Sequence, residues 1–409
     1  MTISSNQGSS AVRDFDVVIA GGGPAGLLLA SELGEVFSTL VLERTRVLTT
    51  SKFWVTTSRR LRENGLEGSS IFRASKVSVG TYLGSNAIGS GDLVVTDEAT
   101  VLGLLLQRCN RSGVTIRENS TLVGFNELDD SVEAVTNSGR VRCKLLVDAT
   151  GGASTVGSRR DTLDLVGLFT VYGYLLDGID LHSNTIILGH VLKDGPPLPI
   201  LEVVPTGESS AFCLVIYATR TPVSYGRARS DLGCHIEKNP FFSLTEHARI
   251  SGRRWGRIPI GRLKKGISRR TFLYGEAGLI QPPFVGTAFN EILQYNETVA
   301  HYLGRSLRKA GDGALGIGNP YPFRKRFNDY WQMRLAEALI DSSVKRFDTV
   351  ARCLDSLDSK TVFRLLSNEL SPFHLPALVR SLSELLWSRD SSFDDESMRT
   401  NSVEGSPSI

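Results

Sequence analysis

Over the first 150 residues, short β-branched apolar runs alternate with stretches of three-four apolar spacing. Phe15 to Ala20 (FDVVIA), closed by glycines, predicts a buried strand. Gly26 to Leu33 predicts a helix, and Thr39 to Leu42 a second strand ending at Glu43, which completes a β-α-β unit. Thr100 to Ser112 reads as a helix, and Val114 to Ile116 and Thr121 to Phe125 as short strands. A third buried run, Leu145 to Val147, ends in Asp148-Ala149-Thr150-Gly151-Gly152.

From about Leu163 to Ile258 the texture becomes strand-like. Leu168 to Tyr174, Thr185 to Val191, Ile200 to Val204 and Ala211 to Tyr217 are separated by glycine, proline and aspartate, which predicts a mostly antiparallel sheet. Thr271 to Tyr274 returns to a buried strand, followed by a glycine-rich turn and a helix from Ala288 to Leu307. Beyond Tyr321, helices are expected over Arg324 to Phe347, Thr349 to Leu357, Thr361 to Asn368 and Leu375 to Trp387. The fold class is therefore α/β: a Rossmann-like nucleotide domain, interleaved with an antiparallel sheet domain and followed by a helical region. Polar residues 1–13 and 388–409 are expected to be disordered.

Composition narrows the function classes. With 46 basic and 43 acidic side chains and a net charge of +3, no excess exists to neutralise a phosphate backbone, so nucleic acid is not an expected partner. The densest basic run (Arg253, Arg254, Arg257, Arg262, Lys264, Lys265, Arg269, Arg270) reads as a solvated strand face, with an anionic-ligand patch as the alternative. Five scattered cysteines suggest neither a zinc site nor a disulfide framework and fit a reducing cytoplasm. No secretory apolar region and no run of eighteen apolar residues is present, so a cytoplasmic chain without a transmembrane segment is expected.

Gly21-x-Gly23-Pro24-Ala25-Gly26 directly follows the first strand and opens the first helix. Such a turn lets the backbone approach a pyrophosphate at the helix N-terminus. Glu43 lies twenty residues after Gly23, where a carboxylate can accept ribose hydroxyls, and Arg44 follows it. Two later motifs make the pattern specific. Val147-Asp148-Ala149-Thr150-Gly151-Gly152-Ala153-Ser154 resembles a D-A-T-G second fingerprint. Tyr274 to Asn290, containing Gly275, Glu276, Pro283, Gly286, Thr287 and Ala288, resembles a G-D-A-A-x-x-x-P-P-x-x-G-x-G-x-N third fingerprint.

Together these motifs resemble the p-hydroxybenzoate-hydroxylase-like FAD-dependent oxidoreductases. In style they are nearest the lycopene cyclase, geranylgeranyl reductase and flavin-dependent halogenase branch. The resemblance implies FAD as cofactor and a glutathione-reductase-like FAD domain. The acid of the third fingerprint would hold the ribitol or ribose region, and the segment after the prolines would run beside the isoalloxazine. It divides the chain into FAD-binding parts at 14–70, 93–160 and 265–315, substrate-domain sheet at 71–92 and 161–264, and a helical cap at 316–387. Two departures stand out. The third-fingerprint acid is Glu276 rather than Asp, and Asp97 and Glu98 occupy the place of the usual arginine or glutamine. Lys52 or Arg59 would have to compensate for that acid, or FAD would be held loosely. Arg108, later on that helix, reads as a surface residue.

A redox-neutral cyclase needs a carboxylic acid that protonates an alkene. Glu202 in LPILEVVP is the candidate, because a carboxyl among aliphatic side chains stays protonated; strand alternation could equally turn it to water. Lys76 and Trp255 make only half of a halogenase pattern, and Lys76 reads as an edge-strand lysine. His182 and His190 either line the pocket or are structural, and Phe53 and Trp54 either face the ligand or pack the core. The leading expectation is a monooxygenase-like tailoring enzyme acting on a small apolar isoprenoid or polyketide, with NAD(P)H as a possible electron donor. The alternatives are the redox-neutral cyclase and a non-catalytic binding flavoprotein. The cap would close the pocket, dimerise or touch a membrane surface.

Overall fold

In the computed structural model, described for residues 14–48, 52–152, 154–160, 162–264, 269–310, 317–374 and 376–380, the first apolar run becomes a central strand. β1 (Asp14–Ala20) leads into α1 (Pro24–Leu33) and β2 (Thr39–Leu42), then β3 (Phe53–Thr57), α2 (Ser58–Glu63), β4 (Ser70–Thr81), β5 (Asn86–Asp97) and α3 (Glu98–Arg111). β6 (Thr115–Arg117), β7 (Leu122–Glu127), β8 (Val132–Thr136), β9 (Gly139–Asp148) and α4 (Thr155–Arg160) return to the first sheet. β10 (Leu163–Leu181), β11 (Thr185–Val191), β12 (Ile200–Gly207), β13 (Ser210–Thr219), α5 (Tyr225–Lys238) and β14 (Phe242–Leu263) follow. β15 (Thr271–Leu273), α6 (Ala288–Ala310), α7 (Phe323–Leu339), α8 (Val344–Asp355) and α9 (Ser359–Leu366) complete the described chain.

The first sheet runs β6-β2-β1-β9-β8-β7, with β15 beside the C-terminal end of β9. β1, β2, β6, β9 and β15 are mutually parallel, and β8 and β7 add antiparallel strands. β1 is apolar on both faces because both are covered. Val17 and Ile19 pack against α1, α3 and α6, while Val18 and Ala20 pack under β7 and β8.

The second sheet runs β14-β10-β13-β12-β11-β4-β5-β3, antiparallel except where β11 meets β4. It too is buried on both faces. Leu201 and Val203 of β12 join the core under α5 (with Ala228 and Leu232), whereas Ile200 and Val204 face α7, α8 and α9.

Four element expectations need correction. The stretch read as strands contains α5, begun by the Ser224 side chain accepting from Arg227 N–H. Its buried face includes Asp231 and His235, so the apolar periodicity was weak. Gly178, in the stretch taken as a turn after Tyr174, lies inside the long strand β10, at a register shift with φ 71°. The helix expected from Arg324 to Phe347 breaks at Asp341 (φ 53°), whose N–H bonds Ala218 O, and restarts with Ser343 as the cap of α8. Lys76 is exposed, but on β4 in the sheet interior between β11 and β5, not at an edge. The expected helix Leu375 to Trp387 is helical over 376–380. The rest of it, residues 1–13 and 388–409, Ala153 and Lys265 lie outside the described residues. No helix among the described residues is long and apolar enough to cross a membrane.

Candidate cofactor groove and substrate cavity

The nucleotide loop is built by close backbone approach. Gly21 leaves β1 at φ +109°, where a Cβ would lie 2.3 Å from Ala149 O, and a Cβ on Gly26 would lie 1.9 Å from Gly21 O. Both positions therefore require glycine. Gly23 differs: nothing lies within 4 Å of its Cβ direction, so it presents bare backbone to the groove. α1 starts at Pro24 with its first N–H groups unbonded within the helix, the arrangement that receives an anion. Glu43 Oε2 accepts from Gly22 N–H at 2.7 Å, and Oε1 accepts from Thr45 N–H at 3.0 Å and Thr45 Oγ1–H at 3.2 Å, so the carboxylate is oriented with a lone pair left on Oε2.

These residues line a groove of ≈ 330 Å³. Gly21, Gly23, Pro24, Ala25, Glu43, Arg44, Lys52, Glu276 and Ala288 all reach it. Burial raises the Glu276 carboxyl above its ordinary value, and Lys52 pulls the other way. Sequence reasoning missed Arg46, while Trp54, left undecided between ligand and core, does both: it lines the groove and stacks on Phe289 at 4.6 Å. Glu98 lines the groove beside Lys52, whose carbonyl accepts the Glu98 N–H at 2.9 Å. Of the two compensating cations considered, Lys52 is at the groove, together with Arg44 and Arg46. Arg59 is bound to Glu63 and Glu369 elsewhere.

Other fingerprint residues act from outside the groove. Gly26 supports the loop from below, and Gly275 (φ +65°) gives way to the Ala25 side chain, where its Cβ would lie at 2.8 Å. Asp148 does not face the groove. It is fully buried and accepts from Thr150 N–H, Thr150 Oγ1–H, Ser154 Oγ–H and Val156 N–H at 2.6–3.1 Å, so its lone pairs hold the turn that carries Ala149, Thr150 and Gly151 to the groove. Pro283 also points away, into a separate surface pocket with Lys325 and Asp329. Arg108 is more than a surface residue, since its guanidinium donates to the carbonyls of Asn64 and Gly65 beyond the end of α2. The residues present fit FAD: bare loop backbone at a helix N-terminus, an oriented acid at the end of β2, and three cations lining the same groove.

On the other side of segment 285–289 lies the sheet domain. Ala288 and Phe289 line the groove, Thr287 a small adjoining cavity, and Gly286 (φ +73°) a second cavity of ≈ 50 Å³. The two cavities share Leu188, Val285 and Leu366. The second is walled by apolar side chains, among them Phe169, Ile258, Phe284 and Phe347, with one polar exception, Glu202. Glu202 sits on the inward face of β12 with Ile200 and Val204, and burial pushes its carboxyl up to about 8. It has no hydrogen-bond partner among the described residues.

The histidines lie elsewhere. His182 bonds Pro240 O and Ser243, and His190 packs edge-on against Phe241, its imidazole pushed down to about 4 by burial. Phe53 packs near Phe212. Arg253, Arg254, Arg257 and Arg262 of the basic run lie on β14, an edge strand, where Arg262 pairs with Asp164 at 3.0 Å and Arg253 covers the Tyr174 ring. Arg270, just before β15, departs from the solvated face expected of the run: it is fully buried, and its guanidinium donates to Asp129 O at 3.0 Å and Lys144 O at 3.3 Å.

Comparison with known proteins agrees with this geometry. Rifampicin monooxygenase of Streptomyces venezuelae is 31% identical over 156 residues, a match covering 35% of this chain and 33% of that protein, so the likeness spans about a third of the relative. A geranylgeranyl bacteriochlorophyll reductase-like protein from Thermoplasma acidophilum superposes with a TM-score of 0.64 at 15% identity, over 91% of this chain and 96% of its own. The halogenase PltM, in complex with phloroglucinol and FAD, gives a TM-score of 0.65 at 14% identity, over 92% of each chain. Residues 14–315 match the family described as FAD binding domain, and the chain belongs to that family.

Proposed function

We propose that the protein is an FAD-dependent monooxygenase acting on a small, largely apolar molecule, with NAD(P)H as electron donor. The observation that carries this reading is the apolar cavity at Gly286, on the far side of the same segment whose Ala288 and Phe289 line the cofactor groove. FAD, when bound, supplies two-electron redox chemistry and, once reduced, reaction with oxygen. The chain's own contribution is orientation and dryness. Glu43, the α1 N-terminus and the cations Arg44, Arg46 and Lys52 would hold the nucleotide, while Phe169, Ile258, Phe284 and Phe347 exclude water from the substrate side. The name of one similar protein, rifampicin monooxygenase, supports the class, and the halogenase PltM, which shares the fold, is bound to phloroglucinol together with FAD.

At ≈ 50 Å³ the cavity is smaller than the roughly 150 Å³ that holds a benzene ring. Admission of substrate therefore requires side chains of the cap to move; Leu339, Phe347 and Leu366 come from α7, α8 and α9 respectively. One observation favours a second reading. Glu202 is a buried acid in an apolar site, as a redox-neutral cyclase would use.

The two are separated by assaying flavin-loaded protein in air and without it, against apolar polyenes and aromatics, with NADH and NADPH oxidation and product mass recorded. The monooxygenase gives a product heavier by one oxygen that requires both donor and air. A product of unchanged mass formed equally without either overturns it in favour of the cyclase.

A further inference from the structure

β12 places Ile200, Glu202 and Val204 on one face of the second sheet, and that face is covered by the cap. The exposure Glu202 retains is to the cavity, where its neighbours are Phe169, Ile216 and Ile258 from the sheet and Leu339, Phe347 and Leu366 from the cap. No other titratable group lines the cavity, and no protein group bonds the Glu202 carboxyl among the described residues. A buried carboxyl left without a partner is costly, and a chain that only needed an apolar wall would place an aliphatic residue there.

We propose that Glu202 is a specificity-determining residue: its carboxyl donates a hydrogen bond to a carbonyl, ether or hydroxyl oxygen of an otherwise apolar substrate. Oxygenated aromatics and polyketide-like molecules are then accepted and hydrocarbons of the same shape are refused. This rests on the reading of the cavity as the substrate site. A carboxyl kept protonated at neutral pH is a donor rather than an acceptor, and burial in this cavity holds Glu202 in that form to about pH 8. A hydrocarbon bound there leaves the donor unsatisfied. The rejection expected is about 10- to 100-fold, the effect of one unmade buried hydrogen bond.

The experiment is calorimetric titration of the FAD-loaded protein with acetophenone and α-methylstyrene, which differ only in oxygen against methylene at the branch. Wild type is expected to bind the ketone about 10- to 100-fold more tightly. Glu202→Gln, which keeps a donor, should retain the preference, and Glu202→Leu should abolish or reverse it. Raising the pH through about 8 should erode the preference in wild type and leave Glu202→Gln unaffected. A ketone bound no more tightly than the hydrocarbon by wild type, or an undiminished preference in Glu202→Leu, overturns the assignment. Flavin content and donor oxidation are measured on the same samples. Protein that turns over no substrate but keeps the ketone preference sinks the proposed activity alone, whereas full turnover without the preference sinks only the role of Glu202.

Discussion

Gly22 donates its backbone N–H to Glu43 Oε2 at 2.7 Å, tying the loop after β1 to the end of β2. The two halves of the nucleotide groove are thereby set relative to one another by the protein itself. A carboxylate already oriented in this way would need little further ordering to accept the ribose hydroxyls proposed for it.

Glu43→Ala removes both that tie and the ribose acceptor, and is expected to weaken FAD binding by about 10- to 100-fold. Titration of the stripped protein with FAD, followed by quenching of flavin fluorescence, measures this. An unchanged dissociation constant would remove Glu43 from the site.

Gly26 and Gly23 should separate folding from binding. Gly26→Ala drives a Cβ into Gly21 O and is expected to cost about 3 kcal/mol with loss of flavin. Gly23→Ala meets no protein atom, so its melting temperature without flavin should match wild type while its FAD affinity falls. Equal melting losses for the two variants contradict the groove geometry.

Lys325 is buried with Glu291 at 3.3 Å and Asp329 at 2.9 Å, and donates to Ile280 O, so it joins α7 to α6 and to the third fingerprint. Burial opposes its charge, yet the two carboxylates outweigh that and raise it; Glu291 is pushed up to about 7 by its own burial. Lys325→Met should destabilise the fold by about 3–5 kcal/mol in urea unfolding, because it strands the carboxylates. The loss should shrink as pH is lowered towards about 7, because without the ammonium Glu291 takes up its proton at a higher pH than in the wild type.

Glu202 makes a contribution of definite sign to the pH dependence. Its folded value is about 8 against an ordinary 4.5, so the folded protein holds a proton that the unfolded chain has released. Its contribution to stability is therefore complete below about pH 4.5 and is lost progressively as pH rises towards 8. Thermal melts of wild type and Glu202→Gln at pH 5 and pH 8 should diverge in favour of Gln at the higher pH. Parallel curves would mean that Glu202 is ionised and solvated.

Much of the groove was legible in the chain because its determinants are local. Gly21, Gly23 and Gly26 act through a turn of six residues, and Glu43 ends the next strand, so spacing alone carries the geometry. The third fingerprint likewise placed Glu276 and Ala288 at the groove. Where a residue points depends on partners distant in sequence, and there local pattern was insufficient. Asp148 turns inward because Ser154 and the Thr150 and Val156 amides consume its oxygens, and Pro283 turns outward towards Lys325. Trp54 gains its stacking partner, Phe289, 235 residues further along the chain.

The sequence by itself determined the order of the elements that build the first sheet, the nucleotide loop and the acid that serves it, since each is specified by glycine, β-branched and carboxylate positions within one β-α-β unit. The environment of Glu202 was decided only by the tertiary structure. Alternation along β12 separates Glu202 from Leu201 and Val203 but says nothing of what covers either face. α5 closes one face and α7, α8 and α9 the other, and that second covering turns a polar residue on a strand into a desolvated acid facing an apolar cavity.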